Sequence, residues 1–198
     1  MLSRIWNFVK RIFGRGQTAP APVEQVPAPA PIEQAPPPVI EDLPESSNLV
    51  VGEIIGATEG EKQMILTAIG YLHKVFDSKQ FKDAVMNAKF TNTNGLSNAK
   101  IYKLIMSTKM VVNVDYFDGN WKQNHVWHTV GYEDPNDDYV HANRYFVQDA
   151  VTMMSLIAHE LMHEPLGFHH DSASEYTSVP YMMNTITESV AKMLGIGR

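Results

Sequence analysis

The chain is 198 residues long and 44% hydrophobic, which gives room for one ordinary domain with a packed core plus attachments. With 16 basic against 22 acidic residues the net charge is −6, so a general nucleic-acid signature is missing and no nucleic-acid partner is expected. Cysteine is absent, which excludes disulfides, thiolate metal ligands and thiol nucleophiles and directs any metal site to His, Asp and Glu.

Residues 1–16 hold Leu2, Ile5, Trp6, Val9, Ile12 and Phe13 at the spacing of an amphipathic helix. Arg4, Asn7, Lys10 and Arg11 lie elsewhere on the wheel, and Gly14 and Gly16 close it. A basic polar face opposite Trp and Phe suits an anionic membrane surface; a docking helix for a protein partner is the competing reading. Charges interrupt the apolar stretch, so no cleavable signal peptide is expected, and no run of about 20 apolar residues suits a transmembrane helix. Membrane attachment by this segment is therefore expected to be peripheral. Residues 17–48 carry 9 of the 12 prolines and two near-copies, Ala21-Pro22-Val23-Glu24-Gln25 and Ala30-Pro31-Ile32-Glu33-Gln34. Such a Pro/Ala-rich linker is extended and semi-rigid, at about 3.1 Å per residue where polyproline II forms, and its role is spacing.

The folded domain, residues 49–198, begins with helices. Met64, Ile65, Ala68, Ile69, Leu72 and Phe76 recur at helical spacing over 59–76, and 81–88 adds another turn or two. His73 falls on the helix surface. A loop over 92–98 ends in Ser97, an N-cap for a helix over 99–106. Residues 109–117 alternate around Val111, Val112, Val114 and Tyr116 as a strand does, and Gly119-Asn120 turns the chain toward further strands. Two of these contain His125 with His128, and His141. His125 and His128, three apart on a strand, face opposite sides and do not share an ion easily. The strand over 139–146 forms a hairpin with the one before it; at the edge of a cleft its backbone would take an extended peptide by strand addition. Asn143 and Arg144 are candidate substrate contacts, with structural hydrogen bonding or an ion pair as the commoner role. Residues 131–138 read as a polar loop, and 185–194 as the closing helix.

The chemistry is concentrated in 159–171. His159 and His163, at i and i+4 on a helix that opens after the N-cap Asp149, project from one face and can reach one ion, while Glu160 can act on the metal's water. A catalytic zinc wants three protein ligands and an open position. Pro165 and Gly167 break the helix, so a histidine just beyond can return to the metal. The run resembles the metzincin clan of zinc metallopeptidases, whose pattern is His-Glu-x-x-His-x-x-Gly-x-x-His followed by a methionine turn. One extra residue separates His163 from Gly167. Counted from the glycine the third ligand is His170, which is favoured; counted from the first histidine it is His169. The resemblance assigns the methionine beneath the metal to Met182 or Met183, in Ser178–Met183. Tyr181 is a candidate to support the tetrahedral intermediate, Asp171 to orient a ligand imidazole, and Glu164 is a solvated acid at the helix end.

Together these features imply an α+β domain, a small, twisted, mostly antiparallel sheet packed with helices in a zincin-like or metzincin-like arrangement. The expected function is zinc-dependent peptide-bond hydrolysis on a peptide or protein substrate. His159, His163 and His170 hold Zn2+, Glu160 is the general base on a zinc-bound water, and residues 1–16 tether the enzyme. The alternatives are a non-catalytic zinc-binding scaffold module and a hydrolase of cell-wall peptides.

Overall fold

The computed structural model describes residues 47–119, 131–133, 137–170 and 175–197. The expected amphipathic helix, nearly all of the linker, the strand around His125 and His128, and Asp171 lie outside these residues.

The elements run β1 (Asn48–Ile55), α1 (Glu59–Phe76), α2 (Lys79–Asn87), α3 (Asn98–Ser107), β2 (Lys109–Phe117), β3 (Gly131–Glu133), β4 (Tyr139–Asn143), α4 (Ala150–His163) and α5 (Val179–Met193), with a short 3-10 turn (Glu175–Thr177) before α5. The domain is α+β. Among the described residues its sheet has four strands in the order β1-β2-β4-β3; β1, β2 and β4 are parallel, and β3 is antiparallel to β4.

A mostly antiparallel sheet is therefore the wrong expectation. The alternation along β2, with Met110, Val112, Val114 and Tyr116 buried and Lys109 and Val111 exposed, reports one solvated face and is blind to strand direction. Direction follows from the connection. Three helices lie between β1 and β2, a crossover of the kind that joins parallel neighbours. The partner expected for a hairpin, the strand around His125 and His128, lies outside the described residues; within them β3 pairs with β4 from Gly131↔Ala142 to Glu133↔Val140, so the start of the 131–138 segment is strand and not loop. β4 is interior, between β2 and β3, and among the described residues the strand at that end of the sheet is β3.

Local chemistry accounts for the helices. Thr58 caps α1 in a capping box: its side chain accepts from Glu61 N, and the Glu61 carboxylate accepts from Thr58 N. The same helix buries Ile65, Ala68, Ile69, Leu72, Val75 and Phe76. Ser78, Ser97 and Asp149 cap α2, α3 and α4 through side-chain oxygens. α5 starts at Val179, six residues ahead of the expected closing helix, because Pro180 stands in the first turn, where its missing N–H costs nothing. Ser178–Met183 is thus the cap and first turn of a helix, with Met183 buried. Among the described residues no helix is long and apolar enough to cross a membrane.

Candidate metal centre

α4 is buried almost all round. Met153, Met154, Ile157, Ala158, Leu161 and Met162 enter the core, and that packing carries His159 and Glu160 inward, at 7% and 6% exposure. His159 and His163 sit one turn apart with ring centroids 5.4 Å from each other. The helix ends at Glu164, whose N–H bonds back to the Glu160 carbonyl.

The chain then folds over the helix end. Gly167 adopts φ 74°, a left-handed conformation that glycine enters without a Cβ penalty. Gly167 N donates to His163 O at 2.7 Å and Phe168 N to Met162 O at 2.8 Å, satisfying the last carbonyls of α4. Phe168 is fully buried and pins the turn.

This turn delivers His170 to the other two imidazoles. One nitrogen from each of His159, His163 and His170 forms a group within 4.8 Å, graded from buried through half-buried to exposed. The Nε2 atoms of His163 and His170 are 3.1 Å apart. Tetrahedral zinc with nitrogens at about 2.0–2.1 Å separates its ligands by about 3.3 Å, a spacing the His163–His170 pair meets, and the three histidines could together hold a metal ion. His163 Nδ1 lies 2.7 Å from the Phe168 carbonyl. A carbonyl only accepts, so Nδ1 carries the proton and Nε2 keeps its lone pair for a metal. Among the described residues His159 Nδ1 is buried with no hydrogen-bond partner, a buried polar nitrogen of the kind that a bound ion satisfies.

Electrostatics favours the neutral, ligating form. Burial, reinforced by the charges of His163 and His170, lowers the His159 pKa to about 3. Burial also lowers that of His163; the hydrogen bond to Phe168 opposes this, and His170 and His169 add to it.

Of the other sequence candidates, His169 lies outside the group; it is exposed and stacked on His163 at 6.3 Å between centroids. Tyr181 is half-buried, its ring 4.8 Å from that of His159 and 4.6 Å from that of His170. Glu164 is exposed and, with Glu160, Lys109, Val111, Tyr139 and Leu161, lines a cleft of about 310 Å³. His141 is buried, its Nδ1 3.0 Å from Asp115 and its Nε2 3.1 Å from Asp137. Asn143 is 3% exposed, and its Oδ1 accepts from Tyr145 N. Arg144 pairs with Glu61 at 2.8 Å and reaches the Gly56 carbonyl, the ordinary ion pair anticipated for it.

Comparison with protein-family models, curated proteins and solved structures finds no match.

Sequence reasoning missed the residues that hold the turn after α4. Besides Phe168 these are Asn92 and Asn94, which bond to carbonyls between Gly167 and His170 from the loop between α2 and α3. A weak signal was present, since Asn is the non-glycine residue that most readily accepts the left-handed conformation both adopt.

Proposed function

We propose that this domain is a zinc-dependent endopeptidase in which His159, His163 and His170 hold the ion and Glu160 is the general base. The observation that carries the reading is the convergence of three imidazole nitrogens at the end of a helix whose Glu160 is buried next to the first of them. Zinc, when bound, acts as a Lewis acid on the scissile carbonyl and lowers the pKa of a coordinated water to about 7. Glu160 takes the proton of the attacking water and passes it to the leaving amine, a role suited to a carboxylate shielded from bulk solvent. The Phe168 carbonyl holds His163 in the tautomer whose Nε2 lone pair would bind the ion.

The substrate is an extended peptide added along β3, the last strand of the sheet among the described residues. β3 lies over α4 one turn ahead of His159, with the Gly131 backbone against Leu156. Residues 1–16 attach the enzyme to an anionic membrane or a protein partner.

The test is zinc content together with hydrolysis. Purified protein is expected to hold one zinc per chain, and Glu160→Gln to keep it while losing about 10²–10⁴-fold of its peptide hydrolysis. Absence of stoichiometric zinc, or undiminished hydrolysis by the variant, refutes the reading. Bound zinc with no hydrolysis of any peptide selects the scaffold module. Activity on muropeptides but not on unfolded protein selects the cell-wall hydrolase.

A further inference from the structure

His170 stands on a four-residue stretch, Gly167–His170, that belongs to no helix or strand and of which only Phe168 is buried. A ligand carried on such a segment binds well only if its backbone is fixed beforehand, since ordering it at the moment of binding costs conformational entropy.

Four hydrogen bonds from three side chains do the fixing. Asn92 Nδ2 donates to the carbonyl of His169 at 2.7 Å and to that of His170 at 3.3 Å, using both of its hydrogens. Asn94 Nδ2 donates to the Gly167 carbonyl at 3.0 Å. His163 Nδ1 takes the remaining one, that of Phe168. Every carbonyl from Gly167 to His170 thus accepts a hydrogen bond from a side chain. Three of those four bonds come from two asparagines separated from the stretch by 73 to 78 residues.

The asparagines are themselves set in an unusual backbone. Asn92 and Asn94 have φ of 49° and 52°, in the left-handed region where few side chains other than Asn and Asp settle. Their loop is anchored by Thr91 N donating to Thr177 O at 2.8 Å, by the Thr91 and Thr177 hydroxyls at 3.1 Å, and by a parallel bridge from Thr91 to Ser178. Ser178 is the cap of the helix that presents Tyr181 to His159 and His170. One loop therefore grips both chain segments that approach His170.

We infer that Asn92 and Asn94 are positioning residues for the metal centre: through the backbone of Gly167–His170 they hold the third histidine where His159 and His163 can share an ion with it. The inference rests on the metal-site reading, and its experiment separates the two.

Asn92→Gly is the cleanest variant, because glycine adopts the left-handed conformation freely and only the amide is lost. Asn92→Asp keeps the shape but sets an acceptor against two carbonyls. The full chain is stripped of metal and titrated with zinc in competition with a chelator, and with cobalt for its visible spectrum. Affinity is expected to fall roughly 10–100-fold in both variants, as for other groups that orient a metal ligand, with a changed cobalt spectrum. Ser97→Ala, which removes the cap of α3 nearby, controls for lost stability and is expected to leave affinity and spectrum unchanged. Amide exchange of Phe168–His170 in the metal-free protein is expected to quicken in Asn92→Gly and not in Ser97→Ala. Wild-type metal binding with Asn92→Gly within twofold of it overturns the inference alone. Failure of the wild type to bind either metal overturns the metal-centre reading and this inference with it.

Discussion

Gly131→Ala tests the placement of β3 over the helix that carries His159 and His163. A Cβ at Gly131 would lie 2.6 Å from the His141 carbonyl oxygen and 2.6 and 2.7 Å from the two methyl carbons of Leu156. The leucine can turn away, but the carbonyl belongs to the β3–β4 ladder and cannot, so the strand must shift. Overpacking of this kind costs about 1–3 kcal/mol. Set against it is the loss of unfolded-state freedom when alanine replaces glycine, a gain of about 0.4–1 kcal/mol where the backbone conformation is unstrained. The clash wins, leaving a net loss of about 1–2 kcal/mol, which for a domain of this size lowers Tm by about 2–8 °C. Gly70→Ala is the companion. It lies inside α1 with nothing within 4 Å of where the new methyl would sit, so the same substitution is expected to stabilise by about 0.5–1 kcal/mol. Thermal and urea melts of the two variants decide the matter by sign. If Gly131→Ala matches or exceeds the wild type while Gly70→Ala gains as expected, β3 does not lie against Leu156, and the peptide path along it fails.

Zinc at a hundred times its dissociation constant stabilises the folded state by about 2.7 kcal/mol, and a melt with and without chelator is expected to differ by about 5–11 °C. His170→Ala is expected to abolish most of that difference and His169→Ala to preserve it; equal losses in the two variants would overturn the assignment of the third ligand. Asp149→Ala removes the Oδ1 that accepts from both the Val151 and Thr152 amides at the start of α4 and is expected to cost about 1 kcal/mol at neutral pH. The hydrogen bond from the Thr152 amide leads those that hold the Asp149 carboxyl below its usual pKa of 3.8. Its contribution is therefore complete above the unfolded-state pKa and is lost as pH falls through the lower folded value. Urea melts of wild type and variant should accordingly converge in strong acid, and a gap that persists there would contradict the cap.

What can be read from the sequence is what depends on neighbours in the chain. The N-caps Ser97 and Asp149, the spacing from Ile65 to Phe76, and the alternation along β2 are local patterns, and the structure follows each. Strand order stays hidden because β2 alternates in the same way whether its neighbours run with it or against it. β1 escapes a reading by pattern although Leu49, Val50, Val51, Ile54 and Ile55 are strong strand formers. Gly52 interrupts the alternation, and the register shifts between Val51 and Ile54. Pro180 carries the opposite lesson: in a segment matched to a methionine turn, it stands where a helix accepts proline most easily.

The candidate metal centre divides along the same line. His159, Glu160 and His163 share a single helical turn, whose geometry is fixed by the 3.6-residue repeat, so their spacing alone places both imidazoles on one side. His170 has no such guarantee. Its position depends on a left-handed Gly167, a buried Phe168 and two amides that arrive from the α2–α3 loop. Counting from the glycine points to the histidine that joins His159 and His163 in the group, because the turn at Gly167 resets the chain direction after α4. On the proposed reading, a third ligand held this way would make metal affinity a property of the whole domain: loosening Thr91 from Thr177, well outside the histidine run, is then expected to weaken binding as surely as altering the run itself.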